Sequence, residues 1–207
     1  PPPSPRPTIT TTPAPELMTD FAEPILTHVA SRPPDFEDDF EPRSNAWAVA
    51  DWGADWRLKF ESGKMVVTEC YMNYQGIKFN DFVVEVTVSW VSGRGDIGIM
   101  FRDELCRFWI KPDFGMEAYC QKVVSGKMER TNIILKEYKI SGPNLVQLRL
   151  IAKGGRFAFY LDGKPMGYFE DEVMSIGRQL TLMVERQDTT GAFDDFKIWN
   201  ISDLKIP

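Results

Sequence analysis

From Leu145 to Phe169 the chain spells three strands joined by two-residue turns: Leu145–Lys153, the pair Gly154-Gly155, Arg156–Leu161, the pair Asp162-Gly163, then Lys164–Phe169. Gly-Gly and Asp-Gly suit tight hairpins because both central positions tolerate positive φ. The first strand alternates, with Val146, Leu148, Leu150 and Ala152 on one face and Gln147, Arg149 and Lys153 on the other. A period of two is the mark of an antiparallel sheet with one face packed on a core. This stretch commits the chain to β structure before anything else is read.

The same grammar runs backwards to Asp35. Short strands are expected at Phe36–Phe40, Trp47–Val49, Trp56–Glu61 and Lys64–Cys70, the last two around Ser62-Gly63. Phe82–Val91 places Phe82, Val84, Val86, Val88 and Trp90 on one face. Further strands follow at Asp96–Arg102, Leu105–Lys111, Met116–Val124, Lys127–Ile134, Leu180–Gln187 and Phe193–Ile201. Many short strands at this spacing predict an all-β sandwich or barrel, and no helix longer than two turns is expected after Asp35. The pattern therefore predicts an antiparallel β-sandwich or barrel over 35–207, preceded by an arm over 1–34.

That arm differs in composition: it holds ten of the fifteen prolines, and Ser4, Thr8, Thr10, Thr11 and Thr12 lie among the first of them. Pro/Thr sequence favours an extended, polyproline-like stalk without a core of its own. Ile9, Leu17, Met18, Phe21, Ile25 and Leu26 are expected to lie extended against a neighbouring copy or a protein partner. Within Glu16–Ala30 the apolar positions Leu17, Met18, Phe21, Ile25, Leu26 and Val29 also allow one or two amphipathic helical turns, while Pro24 argues against a long helix. A stalk ahead of a sandwich also implies an extracellular or cell-surface protein, with membrane contact only through an N-terminal anchor no longer present.

A net charge of −6 with acid and base well mixed excludes the basic stripe of a nucleic-acid protein. No apolar run approaches the ~18 residues of a membrane span. Of three cysteines, Cys106 and Cys120 flank the turn around Pro112–Gly115. A three-residue loop would set them directly opposite and allow a disulfide; a two-residue loop would put Cys106 against Gln121.

Several phrases resemble a known superfamily. Phe36-Glu37-Asp38-Asp39-Phe40 with Trp47, Trp56 with Glu61–Val67, Asn80–Val86, Gly95–Arg102, Leu148–Asp162 and Ala192–Trp199 are similar, in order and spacing, to the concanavalin A-like lectin/glucanase jelly rolls. Within these the chain is most similar to bacterial domains related to the 3-keto-disaccharide hydrolases, and more loosely to laminin G-like modules. The resemblance implies an antiparallel β-sandwich of jelly-roll type, concanavalin A-like, over 35–207, a fold that hosts lectins, glycosidases and adhesion modules alike.

The lone histidine, His28, lies in the arm, so no nucleophile–histidine pair and no Cys/His zinc site can form in the sandwich. Retaining glycosidases of the resembling family carry Glu-x-Asp-x-x-Glu on one strand; the nearest strand here, Asp96–Phe101, has one carboxylate. Glu170-Asp171-Glu172 reads as a solvated loop. Asp194-Asp195 can bulge the last strand or, with a neighbouring loop, hold a structural calcium, and no other cofactor is expected. The domain is therefore expected to be catalytically silent.

Binding residues are sought among aromatics and planar polar groups, which suit the faces and hydroxyls of sugars. Trp47, Trp56, Trp90 and Trp199 are expected in or near the core. Trp52 in a loop, and Trp109 with Arg102, Arg107 and Tyr119 on an outer face, are the candidate contacts for a glycan or a protein partner. The leading expectation is a non-catalytic module in surface adhesion or assembly; a carbohydrate-binding module and a glycoside hydrolase are the alternatives.

Overall fold

The computed structural model describes residues 15–41, 45–50, 56–112, 115–125, 127–138, 145–171, 179–185 and 188–206. One helix, α1 (Pro15–Ala30), precedes fifteen strands. These are β1 (Phe36–Asp38), β2 (Trp47–Val49), β3 (Arg57–Glu61), β4 (Lys64–Thr68), β5 (Tyr71–Tyr74), β6 (Phe82–Ser92), β7 (Asp96–Phe101) and β8 (Cys106–Lys111). They continue as β9 (Gly115–Val124), β10 (Lys127–Lys136), β11 (Leu145–Lys153), β12 (Arg156–Leu161), β13 (Lys164–Glu170), β14 (Thr181–Glu185) and β15 (Thr190–Asn200).

The strands form two antiparallel sheets. The first runs β13-β12-β11-β6-β15-β4-β3, with β1 added on β15; the second runs β10-β9-β8-β7-β14-β5-β2. Both hairpins at the head of the sequence argument form, and at the second one Asp162 and Gly163 both take positive φ (48° and 73°), as an Asp-Gly turn of this kind requires. The alternating apolar faces meet between the sheets: Val84, Val86 and Val88 of β6 and Val146, Leu148 and Leu150 of β11 oppose Ile97 and Ile99 of β7 and Phe108 and Ile110 of β8. The strand pattern leaves sandwich or barrel open; the structure is the sandwich, of the jelly-roll type that the resemblance implies.

The arm is a correction. Its second half is not extended but helical, and its apolar stripe is closed on the chain's own first sheet. Met18, Phe21, Ala22, Ile25 and Val29 recur at helical spacing and pack on the outward residues Val83, Ile151, Ala158, Tyr160, Tyr168 and Trp199. Burying Phe21 and Ile25 contributes about 1.5–3 kcal/mol each, enough to outweigh the hydrogen bond that Pro24 removes. Pro24 itself lies on the solvent side of α1. Met18, Phe21, Ile25 and Leu26 thus face this sheet rather than a neighbour. Ile9 and the side chain of Leu17 lie outside the described residues. His28, expected in a linker, sits in the last turn of α1. Among the described residues no helix is long and apolar enough to cross a membrane.

Two further placements depart from expectation, and a third settles an alternative. β5 was not anticipated; it follows β4 after a turn in which Glu69 takes positive φ. Trp56 is 45% exposed rather than near the core. Asp194-Asp195 does bulge β15, where the register shifts between Asp194 and Lys197. Asp194 is engaged by Lys64 at 2.7 Å, and among the described residues no group of three acidic, Cys or His side chains is placed to hold an ion.

Candidate functional site

The outer face of the second sheet is built by simple alternation. On β8, Cys106, Phe108 and Ile110 point into the core, so Arg107, Trp109 and Lys111 point out. Register carries this across the sheet: Trp109 lies opposite Glu117 of β9 on one side and Gly98 of β7 on the other, and Gly98 lies opposite Met183 of β14, which faces Tyr71 of β5. The next row is Tyr119, Arg107, Met100, Thr181 and Asn73. Gly98 is required at the centre of the first row, because a Cβ there would lie 2.5 Å from the Trp109 Cα and 2.2 Å from the Phe108 carbonyl oxygen.

The result is a buried aromatic and thioether layer (Met100, Trp109, Tyr119 and Met183, with Tyr71 at its edge) on the side of the sheet that faces away from the main core. Charged side chains lie over it. The Arg107 guanidinium is 5.5 Å and the Lys111 ammonium 5.3 Å from the Trp109 ring centre, and Arg130 is 4.3 Å from that of Tyr119. Cations over indole and phenol faces are attracted by the ring quadrupole.

Three carboxylates from three strands hold these cations. Arg107 donates to Glu185 at 2.8 Å, and Tyr71 donates to the same oxygen. Arg130 donates to Glu117 at 3.0 Å, and the Trp109 indole N–H to the other Glu117 oxygen at 2.9 Å. Lys111 lies between Asp96 (3.5 Å) and Glu117 (3.8 Å). Thr181 and Asn73 close one end with a 2.7 Å hydrogen bond.

Protonation follows from this layering. Burial, reinforced by the hydrogen bond to Glu185 and its charge, pushes the Tyr71 phenol well above its ordinary value, against the opposing pull of Arg107. Burial also raises Tyr119, against Arg107 and Arg130. For Arg107, burial alone acts downwards, and Tyr119, Glu185 and Tyr71 together outweigh it, leaving the guanidinium above its usual value. Both phenols therefore stay protonated donors and Arg107 stays a cation. The face offers planar donors and carboxylate acceptors within a few residues of one another, over a layer of buried rings.

Of the residues singled out in the sequence, Arg107, Trp109 and Tyr119 do come together. The rings are not open, however: Trp109 is 3% and Tyr119 1% exposed, because the arginines, Lys111 and Glu117 lie against them. Arg102 belongs elsewhere. The chain turns through positive φ at Arg102, Asp103 and Glu104, which swings the side chain out of the expected row and inwards. Its fully buried guanidinium donates to the Gly154 carbonyl at 2.7 Å and to that of Asn80, and lies 5.5 Å from the Phe157 ring centre. Burial lowers its pKa to about 10, against Asp81 and Asp103, so it remains charged and ties the β7–β8 turn to the first sheet. Trp52 lies outside the described residues.

Glu117, Glu185, Tyr71 and Arg130 were missed. Period-two counting on β9 and β14 puts Glu117 and Glu185 on the outward face, but nothing in the sequence says that β14 pairs with β7 and β5. The cysteines resolve the open alternative: Lys111 pairs with Gly115, Cys106 lies opposite Cys120, and the two are disulfide-bonded on the inner side of the same hairpin. Cys70 is buried outside any disulfide, its thiol donating to the Tyr71 carbonyl at 3.5 Å.

A concavity lies on the first sheet, between α1 and β13. It is a trough of about 570 Å³ lined by Met18, Leu26, Tyr160, Pro165, Met166 and Tyr168, with Glu23 and Lys136 also contributing. Its lining is largely apolar, and it brings together far fewer charged and hydrogen-bonding groups than the outer face of the second sheet.

No family model matches the sequence, and no curated protein matches it. Solved structures do. A carbohydrate-binding module, CBM66 from Bacillus subtilis, aligns with a TM-score of 0.54 at 20% identity over 75% of this chain and 96% of its own. A prokaryotic β-1,3-1,4-glucanase (lichenase) from a mouse hindgut metagenome aligns at 0.60 and 11% identity, covering 80% and 99%. SCLam, a non-specific endo-β-1,3(4)-glucanase, aligns at 0.55 and 14% identity, covering 80% and 89%. At these identities the likeness is one of fold, and the fold is the concanavalin A-like jelly roll. The expectation of a catalytically silent domain is thereby corrected. Two endoglucanases share the architecture, so the missing histidine and the missing Glu-x-Asp-x-x-Glu strand do not decide against catalysis, and carboxylates from separate strands do share one face here.

Proposed function

We propose that this chain is an exported carbohydrate-binding β-sandwich that takes its glycan on the outer face of the second sheet. The observation that carries this reading is the cluster of Tyr71, Arg107, Trp109, Lys111, Glu117, Tyr119, Arg130 and Glu185. The outward face of a sandwich is ordinarily a solvated polar surface; here it concentrates aromatic rings, guanidinium forks and carboxylates, the groups that orient sugar hydroxyls. The fold supports the reading, since it is shared with a protein named as a carbohydrate-binding module. The Cys106–Cys120 disulfide supports export, because such bonds persist in oxidising compartments.

The test is a glycan array probed with the full chain, repeated with Arg107→Gln and Glu185→Gln. Binding that weakens in both variants, with unchanged thermal unfolding, supports the face as the site. An array with no bound glycan sinks the proposal. Release of reducing ends from any bound polysaccharide, lost in Glu185→Gln or Glu117→Gln, would place the chain among enzymes acting on its ligand.

A further inference from the structure

The same face has a layered charge distribution that points to a class of glycan; this inference rests on the carbohydrate reading above. On its β8–β9 side the carboxylates lie deep and the cations lie outside them. The side chain of Asp96 is 4% and that of Glu117 10% exposed, against 22% for Lys111 and 50% for Arg130; at the far end Arg107 (20%) lies no further out than its partner Glu185 (28%). The aromatic rings lie beneath the cations and are closed to solvent. A ligand arriving here meets guanidinium and ammonium groups first, and a sugar cannot stack directly on Trp109 or Tyr119 without displacing them.

We infer that the face selects carboxylated glycans, those carrying uronic or sialic acid units, over neutral ones. The internal contacts show how these cations hold a carboxylate: Arg107 meets Glu185, and Arg130 meets Glu117, each through Nη1. A guanidinium presents five donors in a fixed fork, so one nitrogen engaged inside leaves the outer edge of the half-exposed Arg130 for a second carboxylate. Stacking on Tyr119 holds that fork in place before the ligand arrives, which reduces the entropy lost on binding. The chain's net charge of −6 does not oppose this at physiological salt, where charges more than about 8 Å away are screened.

The experiment measures calorimetric binding of the full chain to polygalacturonate, to carboxyl-reduced polygalacturonate, to 3′-sialyllactose and to a neutral mixed-linkage β-glucan, at low and high salt. The expected result is binding to an acidic member that falls about tenfold or more on carboxyl reduction or in Arg130→Gln, and that weakens with salt. Arg130 is half-exposed, so that variant is expected to fold; Lys164→Gln, on β13 of the other sheet, is the charge-matched control and should bind as wild type. A neutral polymer bound as well as or better than the acidic ones overturns the class while the carbohydrate reading stands. Acidic binding indifferent to Arg130→Gln and Arg107→Gln overturns the location. Failure to bind any member of this panel overturns the acidic class, and only an empty glycan array removes the carbohydrate reading with it.

Discussion

Arg102→Met isolates the role of the buried arginine. Methionine keeps the length and much of the volume of the side chain while removing its donors. Two carbonyl oxygens, those of part-buried Asn80 and Gly154, then lose the partner that the fully buried Arg102 side chain supplies. Each orphaned acceptor costs about 1–3 kcal/mol. Asp81 loses little, since Lys153 (3.2 Å) and the Gly154 N–H (2.8 Å) still hold it and Arg102 is 3.9 Å away. Relief from burying a charge offsets part of the loss. The net expectation is about 2–4 kcal/mol, or a fall in Tm of about 4–15 °C for a domain of this size. Urea unfolding at pH 7, followed by tryptophan fluorescence and far-UV circular dichroism together, measures it. Arg102→Lys should lose less, because one ammonium cannot span both carbonyls but keeps one of them. Glycan binding should be unchanged in the fraction that remains folded. A Met variant within about 0.5 kcal/mol of wild type, or one with wild-type stability and lost binding, would refute the reasoning and return Arg102 to the ligand.

Replacing both Cys106 and Cys120 by Ser opens a loop with a sequence separation of 14, for which loop entropy gives a loss of about 3 kcal/mol; an unchanged urea midpoint would contradict it. Phe21→Ala removes a ring packed 5.3 Å from Tyr168 and should cost about 3–5 kcal/mol; if stability does not move, α1 is not docked as described. Tyr74 has its pKa raised to about 12 by burial and by the charge of Asp38, against a backbone hydrogen bond from Ile77. The folded state therefore keeps a proton that the unfolded state releases from about pH 10. Its contribution is intact below pH 10 and fades as pH rises towards 12, so urea midpoints should fall over that window, less steeply in Tyr74→Phe; parallel curves would count against it. Gly98→Val should force β7 and β8 apart where a Cβ meets backbone, giving unfolded or aggregated protein; normal expression and Tm would show the close approach to be wrong.

The sheets were legible in the sequence because period-two alternation and tight glycine turns are local signals, and each strand from β6 to β13 carries both. The helix was legible only in part, because the apolar spacing allows a turn or two while Pro24 and the prolines around it favour extended structure. The stripe Met18, Phe21, Ile25, Val29 is equally local, but its value depends on an apolar outer sheet face that no local signal reveals. Arg102 was misplaced for a similar reason. Three successive residues with positive φ reverse the alternation after β7, and none of them is a glycine. Of the candidate site, the half carried by the β8–β9 hairpin was visible. The half carried by β14 and β5 was hidden, since β14 joins β7 from about eighty residues downstream and β5 joins β14 from more than a hundred residues upstream of it.

The hairpin that could be read also explains why stability and recognition are coupled here. In a strand pair the two faces are set by one register, and a slip of a single residue exchanges them. Were β8 to slip by one against β9, Arg107 would no longer face Tyr119. Were β8 to flip over, Phe108 and Ile110 would face outwards and Arg107 and Trp109 would enter the core. The Cys106–Cys120 bond on the inner side permits only the register in which those two residues are opposite, and Arg107 opposite Tyr119 is the next rung of the same ladder. The covalent link within the core is therefore also what holds the guanidinium and the phenol of the outer face in line.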